Sequence, residues 1–144
     1  MEEFRAPSAM EKAFNRTFGF LVGLGVGRSY HYSLEVRGRK SGKIYSTPVD
    51  LLEMDGKKFL VAPRGRTQWV RNAEVAGEVT LKRGSSRQKY RLRRLGVEEK
   101  LPVLKGYLDA FKSEVQRYFP VQAGSAVEEF RVVEGNYPAF ELLG

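Results

Sequence analysis

The residues from Tyr30 to Arg37 alternate strictly, with Tyr30, Tyr32, Leu34 and Val36 on one side and His31, Ser33, Glu35 and Arg37 on the other. A period of two belongs to a strand with one buried face. Segments of this kind recur after short turns along most of the chain, and that recurrence limits the available folds most. Ile44 to Leu52 reads as the strand returning from the Gly38–Gly42 turn, and Asp55-Gly56 marks a hairpin into residues 57–62. Residues 79–84 and 87–95 flank a turn at Gly84-Ser85-Ser86, and the closing segment turns at Gly135-Asn136 into a last strand. Strands that follow one another this closely pair antiparallel. The expected fold is a small split barrel of about six antiparallel strands, not a parallel doubly wound sheet.

Helical spacing appears in three places. A capping-box pattern at Ser8 and Glu11 opens a segment in which Met10, Phe14, Phe18, Leu21 and Val22 recur on one face. Gly23, Gly25 and Gly27 end it; they follow a helix rather than a strand, so this is a helix stop and link and not a dinucleotide fingerprint. A short helix is expected over 68–76, closed by Gly77, and another from Glu98 with Leu101, Leu104, Leu108 and Phe111 on one face and Pro102 in its first turn. The class is thus mainly β with flanking helices: one domain over 1–144, with 1–27 as the N-terminal helix and glycine-rich link.

Charge narrows the partners. The formal net charge is +8, which favours nucleic acid, an acidic membrane or a phosphorylated or carboxylated small molecule. The chain has no cysteine and one histidine, His31. Thiol chemistry and multi-histidine zinc sites are excluded, and no metal site is expected. His31 falls on the polar side of its strand and receives no role. The apolar run 18–26 is too short to span a bilayer, and with no basic leader at the start a cytoplasmic protein is expected. The N-terminal helix has two readings: packed on the barrel, or lying in a membrane interface with Lys12 and Arg16 toward lipid.

Two stretches carry the chemistry. "LEVRGRKSGKIYSTPV" places Arg37, Arg39, Lys40 and Lys43 around two glycines in one hairpin turn. Such a turn can aim backbone N–H groups and cationic side chains at one anion, or it can be a solvated basic hairpin. In "VAPRGRTQWVRN" a loop with Arg64 and Arg66 leads to a helix presenting Trp69 and Asn72 on one face. Trp69 alone reads more readily as core than as a ligand platform, and Asn72 as an amide for a ligand or a cap for a neighbouring backbone group.

Together these stretches resemble the deazaflavin-dependent nitroreductase family, flavin-binding split barrels that use coenzyme F420, and the resemblance extends to the closing "YPAF". It implies that Arg39, Lys40 and Ser41 grip the coenzyme's phosphate and carboxylate tail, with Pro48 on the strand after them. Ala62, Pro63, Arg64 and Gly65 match the loop against the deazaflavin ring, and Trp69 and Asn72 match the helix that closes the site. Where the family often has arginine this chain has Tyr45, so that anion contact is either missing or replaced by Lys43. Pro63 stands where serine is frequent, and the loop before Trp69 is shorter. The helical region with Tyr107, Phe111, Tyr118 and Phe119 would cover the acceptor, although each of these also reads as core.

The activity implied is F420H2-dependent transfer of a hydride to a quinone, enone or nitroaromatic acceptor, with FMN a poorer fit than F420. An alternative is a split barrel that binds F420 or another ligand without turnover. A nucleic-acid-binding barrel is disfavoured, because the strands lack a row of exposed aromatics among their basic residues. The cluster Lys82, Arg83, Arg87, Lys89, Arg91, Arg93 and Arg94 reads either as extra support for a polyanionic tail or as a solvated face. A homodimer through a sheet face is compatible with the fold.

Overall fold

The computed structural model describes residues 30–144. The expected N-terminal helix, its glycine link and the membrane-interface reading lie outside the described residues. The strands are β1 (His31–Arg37), β2 (Ile44–Asp50), β3 (Leu52–Met54), β4 (Lys57–Val61), β5 (Glu78–Arg83), β6 (Ser86–Arg94) and β7 (Ala139–Leu143). Helices α1 (Gln68–Ala76), α2 (Val97–Ala110) and α3 (Lys112–Val115) are joined by 3-10 turns at Gln116–Tyr118, Val127–Phe130 and Glu134–Asn136.

All strands form one sheet in the order β2-β1-β5-β6-β7-β4-β3, and every pairing is antiparallel. The expected strand over 44–52 is two strands, divided at Leu51. These two are the opposite ends of the sheet order. In a flat sheet they would lie roughly 29 Å apart, yet one residue joins them. The sheet therefore curls until its edges meet, which makes it a split barrel. Leu51 is 3 % exposed at the junction, and its N–H donates to the Tyr30 carbonyl at 2.8 Å.

The alternation explains which side chains fill the barrel. Leu34, Val36, Leu60, Val79, Leu81 and Leu142 meet inside it, with Leu51 and Ala73 of α1. Neighbouring residues on β4 point the other way: Phe59 and Val61 join Leu101, Leu104 and Leu108 of α2 in a second core, closed by Phe119, Phe130 and Tyr137. That is why "FLVA" is a continuous apolar run, since β4 is covered on both faces. Gly77 ends α1 at φ 74°, a left-handed cap suited to glycine, and its N–H donates to the Ala73 carbonyl at 2.8 Å. Helix α2 begins at Val97, one residue before the expected start, and Pro102 sits in its second turn rather than its first. A proline at this position has no N–H for the carbonyl of Glu98, a residue that is exposed.

Candidate functional site

The β1–β2 turn and the start of α1 form the two walls of a cleft of about 720 Å³. Gly38, Arg39, Lys40, Ser41 and β2 residues Tyr45, Ser46 and Thr47 line one wall; Arg66, Thr67, Gln68, Trp69, Arg71 and Asn72 line the other. The turn is tightened by Gly38 N–H to the Lys43 carbonyl at 2.6 Å and Gly42 N–H to the Gly38 carbonyl at 3.0 Å, with Gly42 at φ 77°. A Cβ on Gly38 would lie 2.5 Å from the Tyr45 ring, so glycine there lets the ring cover the turn. The Tyr45 hydroxyl in turn lies 3.1 Å from Ser41 Oγ, which accepts from the Lys43 N–H at 3.1 Å.

A single buried oxygen joins the walls. Asn72 Oδ1 accepts from the Arg39 backbone N–H at 3.0 Å and from Arg39 Nη1 at 2.7 Å, while Nη1 also donates to Gln68 Oε1 at 2.9 Å. Asn72 thus serves the neighbouring backbone, the second of its two readings, and does so from the cleft wall. Arg39 retains Nε and Nη2 for an anion, since a guanidinium carries five N–H donors.

The electrostatics are one-sided. Four lining residues are cationic (Arg39, Lys40, Arg66 and Arg71) and none is acidic. Arg66 is held by Glu74 at 2.7 Å, and Arg71 Nε donates to the Arg66 carbonyl at 3.1 Å. The first turn of α1 adds the positive end of its dipole. Trp69 unites its two readings, packing on Phe140 with ring centroids 6.2 Å apart while lining the cleft.

The remaining expected residues lie outside the lining of this cleft. Lys43 is exposed in the turn but not part of the lining, and Pro48 is exposed on the edge strand β2. Ala62, Pro63, Arg64 and Gly65 run from β4 toward the cleft. Gly65 is at φ 84°, its N–H bonded to the Ala62 carbonyl at 3.2 Å. Tyr107, Phe111 and Tyr118 are 3 %, 5 % and 7 % exposed in the second core, so the core reading describes their placement. Arg64 approaches the Tyr118 ring at 6.0 Å. Among the basic residues of β5 and β6, Arg87 pairs with Glu35, Lys89 with Glu78, Arg93 with Glu99 and Glu141, and Arg94 with Glu74. Much of that charge is neutralised locally, which favours the solvated-face reading.

A second polar cluster was not legible in the sequence. His31, on the nominally polar side of β1, is 4 % exposed. Its Nε2 lies 3.1 Å from Asp50 Oδ1 and 3.0 Å and 3.2 Å from the two Glu114 oxygens. The β1–β2 register places His31 opposite Asp50, and α3 covers both, so the polar face is buried here. Burial opposes the imidazolium, but hydrogen bonds to Asp50 and Glu114 outweigh it and raise the His31 pKa. Burial pushes the Asp50 carboxyl up to about 6 against the pull of His31. At Glu114 burial is outweighed by hydrogen bonds from His31 and Tyr30, which hold its carboxyl below the ordinary value.

Comparison with known proteins places these features. The sequence profile of the F420H(2)-dependent quinone reductase family matches residues 9–123, most of the chain. No curated protein matches the chain. Among solved structures, one described as a domain-swapped dimer aligns at TM-score 0.57 with 21 % identity, covering 92 % of each chain. The F420-H2-dependent reductase FDR-A aligns at 0.54 with 22 % identity, covering 81 % of this chain and 96 % of its own. A 5-nitroimidazole antibiotic resistance protein from Bacteroides thetaiotaomicron aligns at 0.53 with 10 % identity, covering 88 % and 78 %. At such identities the structural likeness establishes the split-barrel fold, and the sequence profile establishes the family.

Proposed function

Because this chain belongs to the F420H(2)-dependent quinone reductase family, we propose that its cleft holds the coenzyme's anionic tail between the Gly38–Gly42 turn and the start of α1. The protein is an F420-dependent reductase and its cofactor is F420. The observation that supports this placement is the meeting of the two motifs across one cleft with four cations and no acid in its lining. The fit is chemical as well as spatial. A phosphodiester followed by carboxylates needs several spaced cations and N–H donors, and a cleft of about 720 Å³ lies in the range of small-molecule sites.

Each residue then has a task. Lys40 and Arg71 meet tail charges, with Arg39 contributing through the N–H groups not bound to Asn72. The Arg39–Asn72 contact holds the walls at a fixed separation, so affinity is not spent on closing them. Trp69 and Tyr45 provide flat apolar surface for a ring. When bound, reduced F420 supplies the hydride, so the chain needs no nucleophile of its own. Tyr118 supports the loop at Arg64 from behind, with Tyr107 and Phe111 packed in the same core.

The acceptor in this reading is flat and electron-poor, a quinone first, with enones and nitroaromatics as slower alternatives. Tyr45, Ser46 and Thr47 line the cleft, and a hydroxyl among them can donate to an oxygen gaining negative charge, while solvent provides the proton. With menadione, F420H2 oxidation followed by absorbance is expected to exceed the buffer rate at least tenfold, and to exceed the rate with a nitroaromatic of similar size. F420 binding without any rate above buffer would identify a sequestering protein instead.

A further inference from the structure

We propose that His31, Asp50 and Glu114 form a site for a divalent transition-metal ion at the end of the β1–β2 hairpin opposite the cleft. The three residues come from three elements: the start of β1, the end of β2 and α3. None of them lines the cleft. Their donor atoms all fall within 4.8 Å of one another.

Geometry favours a cation over a purely hydrogen-bonded cluster. One imidazole edge faces three carboxylate oxygens, Asp50 Oδ1 at 3.1 Å and Glu114 Oε1 and Oε2 at 3.0 Å and 3.2 Å. A single N–H cannot point at all three with good alignment. Ligand atoms about 2.1 Å from a first-row ion are separated by roughly 3.0 Å at right angles and roughly 3.4 Å in a tetrahedron, and the imidazole-to-carboxylate spacings of 3.1, 3.0 and 3.2 Å lie within that range. Charge points the same way. Two carboxylates share one imidazole, and neither carboxylate pairs with a lysine or arginine among the described residues. Arg83 reaches this region but donates to the His31 backbone carbonyl at 2.7 Å.

The donors are also held in place, as metal ligands generally are. Tyr30 OH donates to Glu114 Oε2 at 2.7 Å. The Tyr30 ring meets His31 edge-on at 4.2 Å and packs on Phe111 at 4.5 Å. The three side chains are 5 %, 11 % and 27 % exposed, leaving a way in beside Glu114. One imidazole with two carboxylates suits zinc, manganese or ferrous iron. An ion here would tie both hairpin strands to α3.

Calorimetric titration of the tag-free, chelator-stripped full chain with zinc chloride, repeated with manganese chloride, tests the proposal. His31 is the chain's one histidine and there is no cysteine, so no other imidazole or thiolate competes. One zinc ion per chain is expected to bind with micromolar or tighter affinity, and saturation is expected to raise the thermal midpoint by about 5 °C. Asp50→Asn and Glu114→Gln, which keep shape while removing a charged ligand, should each weaken binding roughly a hundredfold or more. Should one of them fail to fold, the other gives the same reading. Failure of both metals to bind, or zinc binding unchanged in the folded variants, would overturn the site; F420 affinity serves as an independent readout because the cleft lies at the other end of the hairpin.

Discussion

Replacing Arg39 and Lys40 together by alanine is expected to weaken F420 binding by about 3 kcal/mol, roughly 150-fold. The two cations act differently. Lys40 is exposed at the cleft lining and makes no side-chain bond among the described residues, so its charge is available to the tail. Arg39 both faces the cleft and fastens the turn to α1 through Asn72 and Gln68. Its removal takes away a charge and loosens the geometry that spaces the remaining donors. The Arg39 backbone N–H still reaches Asn72 after either substitution, so the fold should persist. Fluorescence titration of wild type and variant across a salt series measures the change. Wild-type affinity should fall as salt rises, and the variant should show a shallower dependence, because two fewer charges are involved. Equal affinity in the two proteins would place the tail elsewhere.

The largest stability effect is expected at Phe130. Alanine there should lower the unfolding free energy by about 3–5 kcal/mol, a large share of the roughly 5–15 kcal/mol typical of a domain. Phe130 is 0 % exposed and fills the second core between α2 and the segment that returns to β7. It meets Phe119 edge-on at 6.3 Å, and Phe119 stacks on Tyr137 at 4.2 Å. From 119 to 138 the chain forms only short 3-10 turns, so docking depends on these aromatic rings rather than on a strand ladder. Leaving a cavity at Phe130 therefore removes packing that local hydrogen bonds do not replace. Urea unfolding would register the loss as a lower midpoint at similar slope. A change below about 1 kcal/mol would mean that the segment contributes little to the folded core.

The sequence made the barrel readable because its strands are neighbours in sequence as well as in space. Alternation in 30–37 and the Asp55-Gly56 turn each encode a local choice, and Gly77 supplied the stop of α1. What alternation could not show was the break at Leu51: its neighbours on both sides have strand character, and only closure of the sheet separates β2 from β3. The facing of the turn and α1 was anticipated through the resemblance, not through spacing. The tie between them, Asn72 to Arg39, joins positions thirty-three apart, and an asparagine offers no periodic signal of its partner. His31, Asp50 and Glu114 were hidden for a related reason. A polar residue opposite the apolar side of a strand is normally solvated, and only α3, folded back from the other half of the chain, buries this one. Tyr107, Phe111 and Tyr118 show the converse: aromatic residues at helical spacing are usually packing, and here they pack.

The most direct test is a crystal structure of the chain with F420. The expected density has the phosphate and first carboxylate of the tail within hydrogen-bond distance of Lys40 and the Gly38–Gly42 backbone, with Arg71 on the opposite wall and the ring extending past Trp69. Coenzyme bound outside the space between the turn and α1, with those cations still facing solvent, would contradict the account.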